Sequence, residues 1–168
     1  MAVGVVVVLG AAVGAFVFLN RGNGETGGKY GAAPLPTCDE VAIRVGNLPP
    51  KSSGTKIGQG WVCHFANSAD AVTVDLDLEV STVRQQRTGV DVYTSSGGYV
   101  PDPAVHLGES AAWGPSPTGK LCTLAVWDSN AQFKVGVSDG KLAADDTQSC
   151  RNRVMAIAQV FYDSTQPQ

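Results

Sequence analysis

Residues 61–80 read WVCHFANSADAVTVDLDLEV, and their pattern decides the fold. In the second half Val72, Val74, Leu76, Leu78 and Val80 alternate with Thr73, Asp75, Asp77 and Glu79. A period of two predicts a strand with one buried face and one wet face. Ahead of it Trp61, Cys63 and Phe65 share one face and Val62, His64 and Ala66 the other, so a second strand is expected, its cysteine among aromatics. Asn67-Ser68-Ala69-Asp70 between them has turn residues, and the whole stretch reads as a hairpin.

Working outward, residues 121–138 repeat the arrangement. LCTLAVWD is apolar on both faces, as a central strand would be. Ser129-Asn130 is a turn, and Phe133, Val135 and Val137 then point in while Lys134 and Gly136 point out. Upstream, Thr37 and Glu40 have the spacing of a capping box that opens a short helix. Val41 and Val45 lie on one face of it, and Gly46 or Asn47 ends it. Downstream, Asp145-Asp146-Thr147 opens a last helix, where Val154, Ile157, Ala158 and Phe161 recur at helical spacing.

The remaining segments are less periodic. Residues 51–60 read as a polar loop, and residues 81–88 as a strand extension or a short helix. Residues 90–103 read as a Ser/Gly-rich loop containing a short strand and carrying Tyr93 and Tyr99. Residues 105–114 read as a turn entering a strand, and residues 115–119 as a turn. The expected fold is α+β: an antiparallel sheet with helices packed on one face, following an N-terminal transmembrane helix.

That transmembrane helix is read from residues 2–19, which are uncharged and overwhelmingly apolar. At ~1.5 Å per residue they would span about 27 Å, enough to cross a bilayer core. Three readings exist: an uncleaved anchor, a cleaved secretory signal and a buried soluble helix. A cleaved signal wants a basic leading region and an A-x-A site, and neither is present. The anchor reading gives three parts: anchor 1–20, Gly-rich flexible linker 21–33, and domain 34–164. The flanking charge, Arg21, would by itself hold the domain inside, and the lack of a basic residue before the apolar run is what a start codon placed too late would leave.

The cysteines outweigh Arg21. Cys38, Cys63, Cys122 and Cys150 are even in number, none forms a CxxC, and the chain has only 2 His, so zinc ligation is not indicated. Two disulfides after a membrane segment place the domain outside the cytoplasm; buried free thiols would be the cytosolic alternative. Spacing does not choose among the three connectivities. Cys38 with Cys63 and Cys122 with Cys150 is the favoured pairing, because each tie would join a helix start to a strand of its own half.

Net charge is −3, and no short window holds more than two Lys or Arg, which argues against nucleic acid as a partner. No metal or cofactor motif is present: there is no EF-hand spacing and no GxGxxG. His64 and His106 are the available general bases, but no Gly-x-Ser-x-Gly elbow accompanies them. Asp75, Asp77 and Glu79 line one strand face and read as solvated. Tyr93 and Tyr99 are the candidate binding residues, because loops carry recognition.

Several runs together resemble a family: Cys38-Asp-Glu-Val-Ala, Trp61-Val-Cys63-His-Phe with its alternating strand, Leu107-Gly-Glu-Ser-Ala-Ala-Trp113, and residues 124–135 with a C-terminal Ala-rich helix. Over residues 34–162 the chain resembles an actinobacterial family of membrane-anchored and lipoprotein-like extracytoplasmic domains of unknown function. It is also similar to the extracellular sensor domains of actinobacterial membrane kinases, which share a two-disulfide α+β plan. It departs from both in lacking a lipobox and a kinase domain. The resemblance implies fold and location, and no reaction. The expected function is therefore non-enzymatic: a single-pass, extracytoplasmic domain binding a cell-envelope ligand or protein, with membrane contact through residues 2–19. The alternative is a cell-envelope hydrolase using His64 or His106.

Overall fold

Thr37 caps the first helix as its spacing predicts. Its hydroxyl accepts from the Glu40 N–H, and the Glu40 carboxylate accepts from the Thr37 N–H. Helix α1 (Cys38–Val45) ends at Gly46, whose φ of +64° suits a residue without a Cβ. The computed structural model describes residues 28–31, 34–67, 72–115 and 120–167, so the apolar run at residues 2–19 lies outside the described residues. Among the described residues, no helix is long and apolar enough to cross a membrane.

Seven strands follow: β1 (Lys51–Ile57), β2 (Gly60–Asn67), β3 (Val72–Val80), β4 (Val100–Pro101), β5 (Ser110–Trp113), β6 (Leu121–Asp128) and β7 (Ala131–Asp139). Helix α2 (Val83–Ser95) lies between β3 and β4, and α3 (Thr147–Thr165) closes the chain. The strands form one antiparallel sheet in the order β1-β2-β3-β7-β6-β5-β4. The two hairpins expected from residues 61–80 and 121–138 meet at its centre, where β3 pairs with β7 in the register Leu76 to Val135.

The period-two reading predicts the buried face correctly. Val72, Val74, Leu76 and Leu78 are buried with Trp61, Cys63 and Phe65 on β2 and with Phe133, Val135 and Val137 on β7. Against them α3 lays Cys150, Val154, Ile157, Ala158 and Phe161, all buried. The Phe161 ring lies 5.5 Å from Trp61 and 5.7 Å from Phe133, so one side chain joins both hairpins. Helix α1 adds Val41 to this core.

Both favoured disulfides are present: Cys38–Cys63 and Cys122–Cys150, each with Cα atoms 6.0 Å apart. The first ties α1 to β2 and the second ties α3 to β6. They close separations of 25 and 28 residues. On the chain-entropy view loops of that length stabilise a fold by about 3–4 kcal/mol each.

Four expectations need correction. Residues 51–57 form a strand rather than a loop; every residue of β1 is exposed, so it has no buried face for periodicity to report. Its order comes from the ladder to β2, and Lys51 and Lys56 suit an edge strand that must not pair further. Residues 83–95 are helical, so Tyr93 sits on a helix and not in a loop. Thr82 and Gln85 supply a second capping box that the sequence reading passed over. Third, the helices do not share one face: α1 and α3 cover one side, while α2 packs Val90 and Tyr93 against Ala112, Ala125 and Trp127 on the other. Fourth, Tyr30, within the stretch read as a free linker, is 1% exposed and packs edge-on against Phe133.

Candidate functional site

The second face of the sheet is only half covered. Register and alternation place His64 of β2, Asp75 of β3, Gly136 of β7 and Thr123 of β6 side by side in one row across it. The neighbouring row carries Asp77 and Lys134, which pair at 2.8 Å. Helix α2 runs along this row on one side only. Tyr93 stands over it with its ring 5.7 Å from the Lys134 ammonium. Tyr99 meets Tyr93 edge-to-face with ring centroids 5.0 Å apart. The result is an open shelf walled by two tyrosines.

Gly136 is the low point of the shelf. A Cβ there would meet Thr123 Oγ1 at 3.5 Å and Asp75 Oδ2 at 3.8 Å, ordinary contacts with nothing closer. No packing demand therefore requires glycine in this central strand, where a side chain would normally strengthen the sheet. A hydroxyl and a carboxylate oxygen instead converge above bare backbone. By contrast the Tyr99 ring lies so close over Gly114 that a Cβ there would come within 3.2 Å of it.

Electrostatics on the shelf are matched pairwise. His64 Nδ1 is hydrogen-bonded to Asp75 across the strands, with the two side chains 41% and 47% exposed. Burial pushes the Lys134 ammonium down, but the hydrogen bond and charge of Asp77 outweigh it and raise its pKa. Burial raises the Tyr99 phenol, against the opposing pull of Lys134. Both tyrosines are thus neutral hydrogen-bonding groups at neutral pH. Glu79, the third residue of the acidic face, is exposed.

The structure brings Tyr93 and Tyr99 together and sets them beside Asp77 and His64. It leaves His106 apart, exposed on the segment before β5. Cys38, Cys63, Cys122 and Cys150 serve as structural ties, all disulfide-bonded. Gly136, Thr123 and Lys134 were missed as site residues. The signal for them was the out-facing position of Gly136 in an otherwise β-forming strand. Among the described residues no group of three or more His, Cys, Asp or Glu is placed to hold a metal ion.

A second polar constellation lies at the far end of the sheet. Asp128 accepts hydrogen bonds from Lys29 Nζ at 2.7 Å, the Tyr30 hydroxyl at 2.5 Å and the Tyr162 hydroxyl at 2.6 Å. Asn130 grips the backbone of Tyr30 from both sides, accepting from its N–H at 2.9 Å and donating to its C=O at 2.7 Å. Burial pushes Asp128 up, but the donated hydrogen bonds from Lys29, Tyr162 and Tyr30 bring it below the ordinary carboxylate value. Burial and the Asp128 carboxylate together drive the Tyr30 phenol far above its usual range. Cavities of about 400 and 630 Å³ flank this clamp. Their polar side chains are already engaged within the fold: Glu40 with Thr37, Gln85 with Thr82, Gln166 with Tyr30. The shelf, with polar atoms still open to solvent, is the better candidate site.

No family model matches the chain, and no curated protein or solved structure matches it either.

Proposed function

We propose that the chain is a membrane-anchored, extracytoplasmic domain that binds a cell-envelope ligand on the shelf around Gly136. The observation that carries the binding site is Gly136 itself, a central-strand glycine with free space above it, flanked by Thr123 and Asp75 and walled by Tyr99. Two disulfides support an oxidising compartment. The apolar run at residues 2–19 and the resemblance to actinobacterial anchored domains support the membrane and the envelope. Tyr93 and Tyr99 stay in this reading as the wall of the site.

A test is to titrate the isotope-labelled full chain, in mild detergent, with soluble cell-envelope extract and follow backbone amide resonances. Shifts concentrated at His64, Asp75, Thr123 and Gly136 support the reading. Shifts confined to the cavities beside Tyr30 would move the site there.

One observation favours a second reading, a cell-envelope hydrolase: the His64–Asp75 hydrogen bond has the form of a base with its orienting carboxylate. No serine, threonine or cysteine side chain is hydrogen-bonded to His64 among the described residues. Release of new chain ends from envelope polymer, abolished by His64→Ala, would establish hydrolysis in place of binding alone.

A further inference from the structure

We infer that the ligand of the shelf is a neutral, hydroxyl-rich oligosaccharide chain, an inference that rests on the shelf being the binding surface. Three properties of the surface select this chemistry. The first is the source of its hydrogen bonds. The shelf lies on the face of a sheet whose β2, β3, β7 and β6 ladders pair their backbone groups with one another. A guest must therefore be recognised by side chains. An extended peptide is held chiefly through main-chain hydrogen bonds at a strand edge, or through apolar side-chain pockets. The shelf offers neither, but it does offer carboxylate and hydroxyl oxygens from Asp75, Asp77 and Thr123, the complement of a row of guest hydroxyls.

The second property is charge. Asp77 is matched by Lys134 at 2.8 Å, and Asp75 is hydrogen-bonded to His64. A strongly charged guest would have to break a pair in order to find a counter-charge, and would leave the displaced partner uncompensated. A neutral guest takes the remaining lone pairs of both carboxylates without disturbing either pair. The third is shape and polarity. Tyr93 and Tyr99 present aromatic carbon along one side, and Gly136 removes the side chain that would otherwise fill the floor. A sugar ring has an apolar C–H face to set against such a wall and hydroxyls at its rim to reach the floor. The row from His64 to Thr123 crosses four strands, roughly 15 Å at ordinary inter-strand spacing, which suits an oligomer better than a single ring.

The experiment titrates the isotope-labelled full chain in mild detergent with chitotriose, maltotriose and an arabinose trimer. A peptidoglycan stem tetrapeptide is the non-saccharide arm. The expected result is saturable shifts at Gly136, Thr123, Asp75 and His64 with at least one trisaccharide. Gly136→Leu fills the floor and Thr123→Val removes one hydroxyl at nearly constant shape; each is expected to weaken that binding roughly tenfold or more, about the effect of one lost hydrogen bond. The second variant keeps the test decisive if the first fails to fold. Shifts of the same amides by the tetrapeptide alone would overturn the saccharide inference and leave the shelf standing. Saccharide binding that neither variant weakens would overturn the shelf as well. Silence of the shelf amides toward all three trisaccharides would overturn the inference.

Discussion

The phenol of Tyr30 donates to the Asp128 carboxylate at 2.5 Å, joining residues 98 positions apart in the chain. It is the buried centre of a clamp that fixes residues 28–31 onto the β6–β7 turn. Tyr30→Phe keeps the ring on Phe133 and removes only the hydroxyl. A hydrogen bond to a charged group contributes about 1.5–3 kcal/mol, so a loss of that order is expected in urea unfolding. Tyr30→Ala also empties the ring's site and is expected to cost more, about 3–5 kcal/mol by analogy with other buried aromatics. Equal stability of wild type and Tyr30→Phe would show that the hydroxyl adds nothing.

The clamp also predicts an acid limit. Asp128 has a folded pKa below its ordinary 3.8, so the unfolded chain takes up a proton at higher pH than the folded one. Its contribution is therefore complete above pH 3.8 and is lost as pH falls through the lower folded value. Tyr30 is raised above 10.0, so its contribution is complete below pH 10.0 and is lost only as pH rises through its folded value. Hydrogen exchange at the Tyr30 amide, followed against pH, should show protection failing at the acid end first. Asp128→Asn should flatten that acid dependence.

Gly136→Ala is expected to stabilise the fold. A strand-interior glycine costs roughly 0.5–1 kcal/mol relative to alanine, and the new Cβ would meet nothing closer than 3.5 Å. A rise in thermal midpoint is the result to look for. A fall would mean that the floor is tighter than its geometry indicates.

Peptide mapping under non-reducing conditions should recover Cys38 joined to Cys63 and Cys122 joined to Cys150. Removing either tie by paired Cys→Ser substitution is expected to cost about 2–4 kcal/mol. Four alkylatable thiols in freshly isolated protein would contradict the proposed location. A reporter fused after Gln168 tests the same point independently, because it should be active only outside the cytoplasm.

How much of this could be read from the chain depends on how local each cause is. The central hairpins, the Thr37 box and the α3 stripe rest on neighbours within a few residues, and all were legible. Strand β1 was not, because KSSGTKI buries none of its side chains and leaves no period to detect. Helix α2 was half-legible: its Thr82–Gln85 box was visible, but Gly89 and the β-branched Val90, Val92 and Thr94 weaken a helical signal. Its place is set by Tyr93 on Trp127, a tertiary contact 5.7 Å between ring centroids. The pairing of Asp75 and Asp77 with partners on other strands was likewise invisible, so the acidic face looked merely solvated. Gly136 could be assigned to the outer face, but only the neighbouring strands show that the space above it is free.

The Asp128 clamp also changes where tension enters the molecule. A pull on the chain before residue 28 does not reach α1 first, although α1 comes next in sequence. It is carried through Tyr30 into the turn between β6 and β7 and, by the Tyr162 and Gln166 contacts, into the end of α3. From there the Cys122–Cys150 tie and the β3–β7 ladder share the load. While the clamp holds, the first segment to bear force is also the one nearest the end of the chain. The tethered side of the protein is therefore mechanically its C-terminal half, and the polar shelf on the other face lies off the load path.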